Sequence, residues 1–235
     1  MSAISETANL LMSALQKRGF VNTYIQAGIV SVIGTESNYV PKTEVTYRNT
    51  PNDRIRLIFG SRVAKYTEAQ LTVLKTNDVA FFDSVYGGQY GNNKPGDGYK
   101  YRGRGFNGIT FYENYLRYGI AIKVDLVNNP DLLNQVPIAA AAAAVYFADT
   151  LKAAQTNGSL LKRVGVRSLS DVKDFETGVK VALQANAGFG KSTDTTFYQE
   201  VYKKALANLQ SLYDTVKSNP VKTVSVFALT AGFFF

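Results

Sequence analysis

Gly96-Asp-Gly-Tyr-Lys-Tyr-Arg-Gly-Arg-Gly-Phe-Asn-Gly-Ile-Thr-Phe-Tyr-Glu-Asn-Tyr115 is the stretch on which the reading of this 235-residue chain turns. Glycine, arginine and aromatic residues alternate there too densely for an ordinary helix or strand. Gly98, Gly103, Gly105 and Gly108 let backbone approach a ligand closely. Arg102 and Arg104 supply forked donors, and Tyr99, Tyr101, Phe106, Phe111 and Tyr115 offer flat faces. Such a surface suits sugar rings or bases.

On either side of this segment the helical period dominates. Apolar residues recur at Leu10, Leu11, Ala14 and Leu15, then at Ile25, Ile29, Val32 and Ile33, which predicts two core-facing helices. Further helices are expected at Thr67–Lys75, Pro137–Ala154, Leu169–Ala185 and Thr195–Lys217. The alanine run from Ala139 to Ala144 reads as a tightly packed central helix, because small residues permit close approach. Strand candidates are few. Pro41–Thr50 reads as a small hairpin or an irregular loop, and Tyr86–Arg104 is rich in turn residues. The expectation is therefore a mainly α (α+β) fold occupying residues 1–219. An apolar tail, 220–235, follows; its Val224–Phe235 part is too short to span a bilayer as a helix and suits docking on a partner.

Composition restricts the chemistry. With no His and no Cys, the chain builds no Ser-His-Asp triad, thiol nucleophile, His-ligated metal site or zinc ribbon. Carboxylates, Lys, Tyr and hydroxyls remain for proton transfer, with no metal or organic cofactor expected. A net charge of +8 favours polyanions, among them nucleic acid, membrane surfaces and acidic wall polymers. Met1–Phe20 lacks the charged start and cleavage site of a Sec signal peptide.

Two glutamates fit the carboxylate chemistry. Glu36 lies eleven residues after Ile25, so at about 100° per residue it continues the stripe of Ile25, Ile29 and Ile33. A carboxyl partly desolvated there is expected to hold its proton, as a general acid does. Glu44, eight residues on, stands in the polar segment Pro41–Arg48 beside Lys42, which favours the ionised form. Taken alone the spacing is weak, since two glutamates eight residues apart occur by chance in most chains of this size.

The wider pattern is more specific. Thr35-Glu36-Ser37, Glu44 and Tyr47, Val85-Tyr86-Gly87, Gly91-Asn92, Gly96–Gly105, Thr110 and Asn114-Tyr115 resemble, in order and spacing, glycoside hydrolase family 19. Asn129-Pro-Asp-Leu-Leu133 and Asn186-Ala-Gly188 are similar to two further segments of that family, so the resemblance covers roughly Ile25 to Leu206. Within the family it is strongest to the lysozyme-like endolysins and virion-associated lysins of bacteriophages. The resemblance implies a lysozyme-like, two-lobed helical domain with a substrate cleft, cutting β-1,4 links between N-acetylated amino sugars with inversion. It puts Glu36 on the general acid and Glu44 on the general base, with the carboxyls about 6.5–9.5 Å apart. Thr110 falls on the hydroxyl that helps position the attacking water and Asn186 on a residue that binds the acetamido group. Tyr47, Tyr101, Arg104, Asn107 and Tyr115 lie on the segments that shape the cleft; the plainer reading of the glycine-arginine loop is packed scaffold.

The sequence departs from the family pattern at Thr35, Gly108 and Ala187, which bears on sugar selectivity and rate more than on reaction class. The family's arginine after the Asn186 segment is replaced by Lys191, Asp194 and Thr195, with Arg54 or Arg56 as substitutes. Gly188-Phe-Gly-Lys-Ser-Thr193 is similar to the end of a phosphate-binding loop, but Ala185 stands where its first glycine is required. A glycan cleft explains Arg102-Gly-Arg-Gly105 and its aromatics better than nucleic acid does. The expected partner is bacterial peptidoglycan, reached from a phage virion or from the host cytoplasm on lysis, with phage tail or baseplate proteins engaged through Val224–Phe235. Chitinase activity and a noncatalytic tail component with the same fold are the alternatives.

Overall fold

The computed structural model describes residues 3–187 and 196–218. The 188–193 loop segment, the replacements at 191, 194 and 195, and the 220–235 tail lie outside those residues. The chain divides into two compact units, one built from the stretches up to Val40 and from Val136 onward, the other from Pro41–Gln135. In chain order the elements are α1 (Ala3–Lys17), α2 (Thr23–Ser37), β1 (Lys42–Thr43), α3 (Asn52–Phe59), α4 (Glu68–Leu74), α5 (Asp78–Tyr86), α6 (Asp97–Lys100), β2 (Arg104–Gly105), α7 (Tyr112–Ile122), α8 (Val136–Thr156), α9 (Gly158–Lys162), α10 (Phe175–Asn186) and α11 (Thr196–Ser218). The fold is thus mainly α, with one two-stranded sheet among the described residues.

In the first unit α2 is the central helix. Asn22 begins it by accepting a hydrogen bond from the Ile25 amide at 3.1 Å, while its own amide donates to the Val172 carbonyl at 2.9 Å. Ile25, Ile29, Val30, Val32 and Ile33 are all buried, so several sides of this helix are covered rather than one stripe. α2 packs on α10 and α11, and α1 packs on α8. Gly28 of α2 and Gly178 of α10 explain how closely two helices meet: a methyl group on either would run into backbone of the other. Helix α8 is the one described helix long and apolar enough to cross a membrane, by length and composition alone. Ala139, Ala140, Ala142, Ala143 and Ala144 are buried in the unit, as the alanine run predicts for a core helix.

One expected helix is divided. Instead of running unbroken through 169–185, the chain makes a 3-10 turn at Leu169–Asp171 and begins α10 at Phe175. Asp174 causes the break, because its carboxylate accepts the Thr177 amide at 2.7 Å and caps a new helix.

The second unit has an aromatic core of Ile55, Phe59, Val63, Leu71, Phe81, Phe82 and Val85, with Tyr47 and Tyr86 packed against it. Thr67 and Gln70 form a reciprocal capping box that starts α4 at Glu68, one residue inside the expected bound. Asn77 accepts the Ala80 amide at 3.1 Å and starts α5. The segment at 41–50 is not a local hairpin: only Lys42–Thr43 is extended, and it pairs antiparallel with Arg104–Gly105. That pairing carries Glu44 to the glycine-arginine segment far along the chain.

Candidate active site

Glu44 follows β1 directly, and its position is set by backbone. Its amide donates to the Gly103 carbonyl at 2.7 Å, and the Gly103 amide donates back to Glu44 Oε2 at 3.1 Å. Two phenols complete the surroundings. Tyr47 donates to Oε1 at 2.9 Å, and the Tyr86 hydroxyl is 2.9 Å from Oε1 and 3.2 Å from Oε2. Three donors thus serve a carboxylate with about four lone-pair sites, which leaves capacity for one more donor such as a water. Burial, followed by the charge of Glu44 and its hydrogen bonds, pushes both phenols well above their ordinary value. They therefore remain protonated donors through neutral pH.

Gly103 is also where Thr110 approaches this carboxylate. A methyl group on Gly103 would lie 3.3 Å from Glu44 Oε2 and 3.5 Å from Thr110 Oγ1, so both oxygens border the same small space. The Thr110 hydroxyl donates to the Gly108 carbonyl at 2.8 Å, which leaves its oxygen lone pairs for another donor. The phenol rings stand on the core: Tyr47 packs edge-on to Phe59, and Tyr86 stacks on Phe82. Asn92, nearly fully buried, accepts the Tyr112 amide at 2.9 Å and donates to the Tyr86 carbonyl at 3.1 Å, tying the end of α5 to the start of α7.

Most of the Gly96–Tyr115 stretch is scaffold beneath this cradle. Arg104, 3% exposed, pairs with Asp131 at 2.8 Å and donates to the Lys100 carbonyl at 2.7 Å and the Tyr115 hydroxyl at 3.0 Å. Tyr115 is fully buried and donates to the Arg102 carbonyl at 2.7 Å. Burial pushes Tyr115 up to about 12, against the pull of the Arg104 guanidinium. Tyr101 is buried with its hydroxyl on the Val127 carbonyl at 3.3 Å. The Arg102 guanidinium lies over the Tyr99 ring at 4.0 Å. Tyr101, Phe106 and Tyr115 are all buried, so their faces are used in packing: Tyr101 lies against the Tyr112 and Tyr115 rings, and the Arg104 guanidinium 5.9 Å from the Tyr115 ring centre. Asn107 is half-buried, and neither polar atom of its side-chain amide has a hydrogen-bond partner among the described residues.

Glu36 and Asn186 stand in the first unit, Arg56 in the second. Glu36 is on the last turn of α2, and the structure corrects its expected surroundings: it is exposed. Helix α2 is covered on several sides, so the phase of Ile25, Ile29 and Ile33 singles out no buried face at the helix end; Ser37 is the buried residue there. The end itself is firmly held. Asn38 caps α2 in the left-handed region at φ 52°, and Tyr39, at φ 59°, lays its ring against Gly34, where no larger residue fits. Thr35, which precedes Glu36, accepts the Asn208 amide of α11 at 2.7 Å. Asn186 ends α10 half-buried, its carbonyl accepting the Tyr146 hydroxyl at 2.9 Å. Arg56 bonds the Tyr66 carbonyl at 2.9 Å, so it joins α3 to the approach of α4.

Sequence reasoning did not assign a role to Tyr86 or to the Gly103 amide. The signal for the first was Asn77-Asp78, a helix start whose helix ends on Tyr86. No group of three or more His, Cys, Asp or Glu side chains suited to a metal ion occurs among the described residues.

Residues 79–167 match the family model of the class I chitinases, glycoside hydrolase family 19. The matched region contains Tyr86, Gly103 and Thr110 and begins after both candidate carboxylates. It supports a glycoside hydrolase of the chitinase and lysozyme-like kind. No curated protein matches the chain.

Proposed function

We propose that this chain is a peptidoglycan-degrading glycosidase of the phage lysozyme type, acting as an endolysin or a tail-associated lysin, and that it cuts β-1,4 links between N-acetylated amino sugars with inversion. The observation that carries the reading is Glu44 held by Tyr47, Tyr86 and the Gly103 amide, with capacity for one more donor and Thr110 Oγ1 alongside. A water taking that place donates one proton to Glu44 and attacks the anomeric carbon. As the carbon–oxygen bond to the leaving sugar breaks, Glu36 gives its proton to the departing oxygen. The basic chain, at +8, favours encounter with anionic walls. The 220–235 tail is the proposed attachment to phage tail or baseplate proteins; removing it leaves hydrolysis intact and abolishes particle association.

The test is reducing-sugar release from purified peptidoglycan, with the products identified by mass spectrometry. Glu44→Gln and Glu36→Gln each lower the rate by about 10²- to 10⁴-fold. Full activity in Glu44→Gln overturns the reading. A second reading, chitinase, is favoured by the description of the matched family. Release from chitin oligomers with none from peptidoglycan establishes it instead.

A further inference from the structure

One cation at the Glu44 cradle is not engaged as its neighbours are. Arg62 ends the 3-10 turn Gly60–Arg62, which leaves α3 through Gly60 at φ 53° and ψ −125°, backbone that favours glycine. Val63, next in the chain, is fully buried in the aromatic core, so the turn is anchored while Arg62 stays exposed. The Arg62 guanidinium carbon lies 5.8 Å from the centroid of the Tyr86 ring. Tyr86 is the residue whose hydroxyl reaches both oxygens of Glu44.

The neighbouring arginines of the unit are occupied. Arg48, Arg56, Arg102 and Arg104 donate to the carbonyls of Thr76, Tyr66, Tyr99 and Lys100. Among the described residues Arg62 makes no such bond and belongs to no ion pair. Its planar fork, seated on a ring and weakly hydrated, keeps its N–H groups for a ligand. The Arg62 charge opposes the rise that burial and Glu44 impose on Tyr86, so its field reaches the phenol that holds the carboxylate.

We propose that Arg62 is a specificity residue that pairs with a carboxylate of the substrate beside the bond Glu44 serves, so that the site prefers carboxylated amino-sugar polymers to neutral ones. The inference rests on the hydrolase reading and adds to it the substrate class. Peptidoglycan bears free carboxylates on its stem peptides and on lactyl groups that carry no peptide, whereas chitin bears none, so a cation on the Tyr86 ring discriminates between polymers with the same linkage.

The experiment uses the intact protein, Arg62→Ala and Arg62→Lys, with purified peptidoglycan and with the same peptidoglycan after its carboxyl groups have been amidated. Both cleavage kinetics and sedimentation binding are measured. Arg62→Ala raises KM on the carboxylated polymer by about three- to tenfold, with kcat little changed and the amidated polymer unaffected. Arg62→Lys recovers part of the loss, and added salt narrows the gap. An equal change on both polymers, or none on either, overturns the role of Arg62 while the hydrolase reading stands on the intact protein's activity. If the intact protein cuts neither polymer, that reading fails. Binding then decides alone: a carboxylate-dependent loss in Arg62→Ala upholds the pairing, and equal binding refutes it.

Discussion

In the first unit α2 and α10 meet where Gly28 and Gly178 bring backbone against backbone; in the second, Glu44 and Gly103, fifty-nine positions apart, meet through a carboxylate and an amide. The first contact comes from helices that exist by local periodicity and need only small residues to close. The second exists because two-residue strands pair and a ring of phenols and carbonyls holds the result. One arrangement is apolar and tolerates changes of charge; the other is polar and depends on every donor being in place. The chain therefore has a frame stabilised mainly by burial and a site stabilised mainly by hydrogen bonds.

The largest effect that separates these two is Glu44→Gln. It removes the proposed base, worth about 10²- to 10⁴-fold in rate, and keeps a side chain of the same shape in the cradle. Unfolding by denaturant should show a loss of no more than about 1–3 kcal/mol, the cost of an amide nitrogen where a carboxylate oxygen accepts. A collapse of stability together with activity would mean that Glu44 holds the unit together rather than doing chemistry.

Alkaline pH reaches the polar arrangement through its buried phenols. Tyr115 has a folded pKa of about 12 against an ordinary 10.0, so the stability this group contributes is fully present below pH 10.0 and is lost as pH rises through about 12. A displacement of that size corresponds to about 2–3 kcal/mol. Denaturant midpoints recorded across that range should fall in the intact protein and fall less in Tyr115→Phe. Identical slopes would remove Tyr115 as the cause.

Gly28→Ala strikes the apolar contact. Alanine gains about 0.5–1 kcal/mol in helix propensity, but its methyl group meets the Gly178 backbone, which is unable to move aside as a side chain would. Overpacking costs about 1–3 kcal/mol, so the net effect is destabilising. A variant as stable as the parent would show that α2 and α10 approach less closely than the glycines indicate.

This contrast also explains what the sequence disclosed. Helices α1, α2, α8 and α11 follow from runs such as Ile25-Ile29-Ile33 and Ala139–Ala144, because burial leaves a period in the residues it selects. The break at Asp174 was visible only as a cap residue, and Asn77 likewise marked α5 without a clear stripe behind it. Glu44 entered as a candidate through the family pattern. The Gly103 amide did not, since the bond it makes has no residue type of its own. The arginines and aromatics of 96–115 read equally well as ligand surface or as scaffold; burial divides them, and burial depends on contacts such as Arg104 with Asp131 that no local pattern records. Glu36 shows the converse error, in which a period carried past the covered part of α2 placed an exposed residue inside.

Tyr86→Phe makes the smallest and most selective change. The ring stays stacked on Phe82 and edge-on to Phe111, so the apolar contribution of this residue survives. Only the hydroxyl that reaches both oxygens of Glu44 is removed, and Oε1 keeps the Tyr47 donor while Oε2 keeps the Gly103 amide. A hydrogen bond to a charged group is worth about 1.5–3 kcal/mol, and a water entering the vacated place returns part of it. With Glu44 less firmly oriented, kcat should fall about tenfold, near 1.4 kcal/mol, while KM and the thermal midpoint stay close to the parent's. An unchanged kcat would assign the orientation of Glu44 to Tyr47 and Gly103 alone. A fall as deep as that of Glu44→Gln would instead give the Tyr86 hydroxyl a part in the proton transfer itself.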